Sequence, residues 1–256
     1  MKITYALITG ASSGIGLELA QLFAGNGHNL VLVARQRNKL LKVANEIEKD
    51  YNIKTLIIPV DLCTADAAKR TFEFVKGKSI TVNYLVNNAG FYVSSAFSET
   101  SWKDEQRLIQ LQCVTHTQLT KLFLPEMLRQ GKGGILNIGS TGSFVPGPYN
   151  AIYCAAKSFV LSFSEAIAEE VMGSGVTVTA LCPGGTKTAF QDYRNRKKSF
   201  FFPIMEASTV AKIGFKALMK GKRVVIPGLA NRIQVFFLRF FPRNMAARLA
   251  GRFTTK

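Results

Sequence analysis

The feature that most restricts this chain lies near its start. Ile3–Thr9 is a short run of apolar and β-branched residues, read as a strand buried on both faces. It leads directly into Thr9–Gly16, TGASSGIG, and then into an amphipathic helical pattern that ends near Gly25. Glycines in a strand-to-helix turn let the backbone approach a pyrophosphate. The helix N-terminus adds unpaired N–H groups and the positive end of a dipole. A glycine-rich turn without a ligand is the alternative. The strand before and the helix after give the pattern the context that phosphate binding needs.

The same alternation continues along the chain. Leu30–Ala34, Leu56–Val60, Val82–Val86, Ile135–Ile138 and Val176–Leu181 read as buried strands, and Arg223–Ile226 as a seventh. Between them lie helical stretches: one to about Tyr51, one capped by Thr64 and reaching about Lys76, a long region over Ser101–Gln130, one to about Met172, and Met205–Lys220. This order predicts an α/β fold, a doubly wound parallel sheet of about seven strands with helices on both faces and a C-terminal helical extension. The 256 residues suit a single domain, 1–256.

The second strand ends in Arg35. An acidic residue there would suit the ribose hydroxyls of NAD, whereas a cation suits a 2′-phosphate, so Arg35 argues for NADP(H). Arg37 and Lys39 read as the start of a solvated helix.

The chemistry is concentrated in Ser140–Lys157, STGSFVPGPYNAIYCAAK. Tyr153 and Lys157 are four residues apart, which on a helix places them on one face. An ammonium beside a phenol favours the phenolate and lowers the phenol's pKa from its usual value of about 10. Ser140 can offer a hydroxyl to the same acceptor. The set suits the proton half of a carbonyl reduction or of an alcohol oxidation, whose hydride half needs a nicotinamide.

Other side chains point elsewhere. Cys63, Cys113, Cys154 and Cys182 show neither zinc spacing nor a disulfide framework and read as small buried residues in a reducing compartment. His28 and His116 have no partner pattern, so no metal is expected. Lys2 precedes apolar residues, but the run breaks at Thr9–Gly10, carries Glu18 and lacks a small-residue cleavage pattern. No stretch reaches the roughly 18 apolar residues of a spanning helix. A cytoplasmic protein is expected.

Taken together, five motifs in this order resemble the short-chain dehydrogenase/reductase family: TGASSGIG, Asn87–Gly90 (NNAG), Ser140, the YxxxK of Tyr153–Lys157, and the Pro183–Gly184 turn. The resemblance covers roughly Ile3–Val225 and implies a Rossmann-like fold. It implies Tyr153 as general acid or base, Lys157 as the group that lowers its pKa and holds the nicotinamide ribose, and Ser140 on the substrate oxygen. It places Gly10, Ser12, Ser13, Gly14, Ile15 and Gly16 around the pyrophosphate. Asp61 and Leu62 border the adenine, and Asn88, Ala89 and Gly90 the adjoining ribose. Pro183, Gly184, Thr186 and Thr188 close over the nicotinamide end. Members commonly carry an asparagine in the helix after NNAG, which holds a water in a proton relay and bends the helix; Gln112 stands there in this chain. A non-catalytic NADP(H) sensor on the same scaffold is the alternative reading, and Gln112 is what favours it. The family's dimers and tetramers make a homo-oligomer the expected state.

The charge is uneven. Of a net +17, Thr186–Lys256 holds 16 Lys and Arg against Asp192 and Glu206. Lys187–Phe202, the family's variable substrate lid, combines cations with Phe200–Phe202, which fit either a greasy small-molecule carbonyl or alcohol substrate or simple packing of a lid helix. In Leu229–Lys256, Ile233, Phe236, Phe237, Phe240 and Phe241 recur at helical spacing, with Arg232, Arg239, Arg243, Arg248 and Arg252 between them, and Pro242 is placed to start a second helix. The pattern fits peripheral contact with an anionic membrane, or a helical pair packed on the domain or a second subunit. No nucleic-acid motif accompanies it, and no nucleic-acid partner is expected.

Overall fold

A computed structural model describes residues 4–188 and 204–254. The first half of the chain runs β1 (Tyr5–Thr9), α1 (Gly14–Gly25), β2 (Asn29–Ala34), α2 (Arg37–Tyr51), β3 (Thr55–Pro59), α3 (Ala67–Gly77) and β4 (Val82–Asn87). Then follow α4 (Trp102–Ile109), a π-helical turn (Gln110–Thr115), α5 (His116–Gln130), β5 (Gly133–Ile138), α6 (Ala151–Glu170) and β6 (Val176–Leu181). The last part comprises β7 (Thr186–Lys187), β8 (Met205–Glu206), α7 (Ala207–Met219), β9 (Val224–Val225), α8 (Leu229–Leu238) and α9 (Arg243–Thr254).

Seven strands form one parallel sheet in the order β3-β2-β1-β4-β5-β6-β9. The order reverses between β1 and β4, which is where a sheet of this kind opens a crevice at its C-terminal edge. Successive strand residues face opposite layers. Ile8, Leu30, Leu32 and Leu136 pack with Leu19 and Phe23 of α1, Leu40 of α2 and Phe215 of α7. Leu7, Val31, Val33, Leu85 and Ile135 pack instead with Leu119, Phe123 and Met127 of α5 and with Val75 of α3. Both faces are dry, which is why these strands carry almost unbroken apolar runs.

Several expectations need correction. Thr64 does not cap α3; its hydroxyl donates to Asp61 O, and Asp66 holds the cap position. The helix expected at Met205 starts at Ala207, because Met205 and Glu206 pair with Thr186 and Lys187 as a small parallel ribbon. Ser101–Gln130 is interrupted by the π-helical turn. Cys63 and Cys113 are half-buried rather than buried, unlike Cys154 and Cys182. One helix, α6, meets the length and mean hydropathy of a membrane span, at 20 residues and 1.3. Packing accounts for part of its apolar character: Val160, Leu161 and Ala168 are buried beside the sheet, while Phe159 is exposed. Residues 189–203, most of the expected lid, lie outside the described residues.

Candidate active site

The crevice at the strand ends gathers the motifs. Gly10 follows β1 with φ +65° and Gly14 opens α1 with φ +56°, a region other residues enter only under strain. A Cβ on Gly10 would lie 2.7 Å from Asn88 Nδ2, and one on Gly16 would lie 2.3 Å from Gly10 O. The turn therefore presents bare backbone, with Ser12 and Ile15 half-buried and Ser13 exposed at the helix entry. No acidic residue sits in the first turn of α1 to oppose an anion. Asn88 Nδ2 donates to Thr9 O at 2.9 Å and Gly10 O at 3.3 Å, while Asn88 N and Ala89 N both donate to Thr9 Oγ1 at 2.9 Å. The NNAG segment is thus tied to the glycine turn by its amide and backbone, and half-buried Gly90 continues it.

Arg35 is exposed just beyond β2, beside the turn whose Gly10 N donates to Val33 O at 2.8 Å. Asp61 and buried Leu62 follow β3. The Asp61 carboxylate accepts from Cys63 N at 3.0 Å and pairs with Arg107 of α4 at 3.0 Å. Pro183 and Thr186 are buried beyond β6, and Gly184 and Thr188 are half-buried. The Thr188 methyl borders Gly14, 2.9 Å from where a Cβ would stand. Backbone cradle and nearby cation fit a dinucleotide with a 2′-phosphate.

On the other side of the crevice, Ser140 leaves β5 in extended conformation and caps the short 3₁₀ turn Thr141–Phe144. Its Oγ accepts from Gly142 N at 3.0 Å, a bond that leaves the O–H as a donor. Ser143 Oγ donates to Lys157 O at 2.8 Å, joining this turn to α6. On α6, Lys157 is 5% exposed, and its Nζ lies 5.8 Å from the Tyr153 ring centroid. Burial lowers the Lys157 pKa to about 8, with the Cys182 and Cys113 thiols acting weakly the other way. The Tyr153 ring meets Tyr92 edge-on, centroids 5.1 Å apart at 82°. A cleft lined by Val93, Phe97, Leu108 and Tyr149 together with Ser95, Thr100, Glu105 and Asn150 opens beside it.

Gln112 lies in the π-helical turn, 1% exposed, with Nε2 donating to Phe91 O at 3.2 Å. Its Oε1 has no protein partner. The turn does what a bend does: it resets the register between α4 and α5.

Some neighbours had little or no sequence signal. Tyr149 adopts φ +64° without being glycine. Asn137, a polar residue within an apolar strand, was the visible clue to a buried network: its Oδ1 accepts from Asn87 Nδ2 at 3.0 Å and from His116 Nε2 at 2.9 Å, and its Nδ2 donates to Ser164 Oγ at 2.9 Å. Burial lowers His116 to about 4, so the ring is neutral. Burial pushes the Cys154 thiol up to about 11, making it a packing residue at neutral pH. Among the described residues no group of three or more His, Cys, Asp or Glu is placed to hold a metal.

Fold and site together define a dinucleotide-binding α/β protein with a Ser–Tyr–Lys set. The family model described as short chain dehydrogenase matches residues 4–199, and the chain belongs to that family. A very-long-chain 3-oxoacyl-CoA reductase of Rattus norvegicus is 34% identical over 183 residues, 70% of this chain and 58% of that protein. A 17-beta-hydroxysteroid dehydrogenase type 3 of Mus musculus is 35% identical over 196 residues, 75% of this chain and 63% of that one. The match thus spans somewhat over half the length of these curated relatives. Among solved structures, a short-chain dehydrogenase from Sphingobium yanoikuyae in complex with NADPH aligns with TM-score 0.82 at 30% identity, covering 92% of both chains. A bulky-bulky ketone specific alcohol dehydrogenase from Comamonas testosteroni aligns with TM-score 0.80 at 27% identity, covering 97% of this chain and 99% of that one.

Proposed function

We propose that this chain is an NADP(H)-dependent oxidoreductase that interconverts a carbonyl and a secondary alcohol on an apolar substrate. The observation that carries this reading is the buried Lys157 ammonium set against the Tyr153 ring, on the helix that packs against the 3₁₀ turn capped by Ser140. Gly10, Ser12, Ser13, Gly14, Ile15 and Gly16 would hold the pyrophosphate, Arg35 the 2′-phosphate, Asp61 and Leu62 the adenine end, and Asn88, Ala89 and Gly90 its ribose. Pro183, Gly184, Thr186 and Thr188 would enclose the nicotinamide, which when bound supplies or accepts the hydride. Ser140 directs its O–H at the substrate oxygen. Tyr153 gives its phenolic proton to that oxygen in reduction and takes it back in oxidation. Lys157 stabilises the phenolate left behind, in a dry site where a fixed charge acts strongly. Gln112 offers an unpartnered carbonyl oxygen for a proton relay.

The substrate class rests on the similar proteins, whose names specify long acyl chains, steroids and bulky ketones, and on Val93, Phe97 and Leu108 in the mixed polar and apolar lining of the cleft beside Tyr153. A homo-oligomer is part of the reading, supported by exposed Trp102, Val114 and Leu128 along α4, the π-helical turn and α5, which a second copy would cover. So is a cytoplasmic protein in peripheral contact with membrane. The decisive experiment is Tyr153→Phe: NADPH binding, followed by fluorescence, should persist while ketone reduction stops. A variant that still reduces the ketone would refute the assignment.

A further inference from the structure

The outward face of α8 and α9 is unusual for a protein surface. Phe236 and Phe237 are more than half exposed and Phe240 is 70% exposed, with Leu229, Ile233 and Met245 exposed beside them. The phenylalanines meet one another edge to face, Phe236 against Phe237 at 5.6 Å and against Phe240 at 5.3 Å. Scattered apolar residues need no explanation, but a contiguous aromatic patch does. Around it stand Arg232, Arg239, Arg243 and Arg248, all exposed, and from Ala207 to Lys256 the sequence has no acidic residue. A patch both aromatic and purely cationic matches the chemistry of an anionic lipid surface, with rings entering the acyl boundary and guanidinium groups remaining among headgroups.

The inner side of the same helices lies against the active-site crevice. Asn231 is buried, donates Nδ2 to Pro227 O at 2.7 Å, and stands 2.6 Å from where a Cβ on Gly184 would be. The α8 helix packs on the 3₁₀ turn that Ser140 caps. Gly251 of α9 sits against Pro148, in the loop that delivers Tyr153. The element with the greasy cationic face therefore forms one wall of the catalytic mouth.

We propose that α8 and α9 dock on an anionic bilayer and hold that mouth at the lipid surface, so that the apolar substrate enters from the membrane. The entry step rests on the catalytic reading above, whereas the docking step does not. The test uses the full chain with vesicles of phosphatidylcholine, alone or containing phosphatidylserine, and two variants, F236D/F240D and R232Q/R239Q/R243Q. The wild type should sediment with the anionic vesicles only. The arginine variant should bind them roughly 100-fold more weakly, and the phenylalanine variant should lose binding. The KM for a long-chain ketone held in the vesicles should rise at least about tenfold in both variants, with the KM for a short water-soluble ketone unchanged. Wild-type protein that stays in the supernatant, or that prefers duplex DNA to vesicles, overturns the docking. So does a dimer that F236D/F240D dissociates with no effect on vesicles. Intact docking with an unchanged long-chain KM overturns membrane entry. Docking without turnover of any ketone would overturn the catalytic reading instead.

Discussion

Lys157 Nζ donates to the carbonyl of Ile138 at 2.7 Å, so the buried ammonium is anchored to the last residue of strand β5. A strand end that would otherwise present an unpaired carbonyl in the crevice is used to fix the cation. The arrangement carries a cost, because burial holds that ammonium near 8 rather than 10.5.

Lys157→Met should therefore abolish turnover without destabilising the protein much at pH 7. The released desolvation penalty is on the order of 3 kcal/mol, offset by about 1–3 kcal/mol for the orphaned Ile138 carbonyl. Between pH 8 and 10.5 the native lysine has given up a proton that the unfolded chain still holds, so its own contribution to stability rises with pH across that window, while the Cys154 and Cys182 thiols, pushed up by burial, contribute in the opposite sense. Thermal melts at pH 7, 9 and 10 should show the wild type gaining on the variant as pH rises; parallel curves would refute it.

His116 sets the acid side. Its ring is held at about 4 against an ordinary 6.5, so below pH 6.5 the unfolded chain binds a proton the native ring refuses. Stability contributed by the neutral ring is complete above pH 6.5 and falls towards pH 4, by on the order of 3 kcal/mol. His116→Gln, which cannot titrate, should flatten this part of the profile in urea unfolding measured from pH 7 to 4.5.

Arg35→Asp should reverse cofactor preference. Removing one charge-assisted contact and adding repulsion should lower the NADPH-to-NADH ratio of kcat/KM by about 100-fold. Steady-state kinetics with both cofactors decide it, and an unchanged ratio assigns the 2′-phosphate elsewhere.

Gln112→Leu keeps the volume and removes both amide functions. It should cost about 1–3 kcal/mol by leaving Phe91 O unpaired. It should also lower kcat by about tenfold or more, with NADPH affinity retained, if the free Oε1 serves the proton relay. A loss of stability with kcat intact would reduce Gln112 to a packing role.

Gly10→Ala should impair both folding and cofactor binding. The φ of +65° and the approach to Asn88 Nδ2 leave a methyl nowhere to go. Calorimetry should show a lower Tm, and NADPH titration a weaker Kd.

The main sheet was legible because each strand is a β-branched run buried on both sides, with a glycine or polar terminus marking where it stops. The Tyr153–Lys157 spacing was legible because a helix turns it into proximity. What stayed hidden depends on contacts between distant segments. Thr186–Lys187 pairing with Met205–Glu206 is too short to leave a pattern. The π-helical turn adds a residue that averaged periodicity absorbs. Asn87 opens the NNAG motif, yet its Nδ2 is turned inward to Thr120 and Asn137 inside the fold. Apolar α6 has the mean hydropathy of a membrane span, and its packing on the sheet accounts for part of that.

The Gln110–Thr115 segment holds more residues per turn than its neighbours. Deleting one residue would rewind it into ordinary helix: the wider turn already takes up one residue more, so its removal leaves α4 and α5 facing much as they do now. Glu105 and Leu108 on one side and Leu119, Phe123 and Met127 on the other would stay enclosed. An inserted residue finds that slack already used, so the segment tolerates shortening better than lengthening.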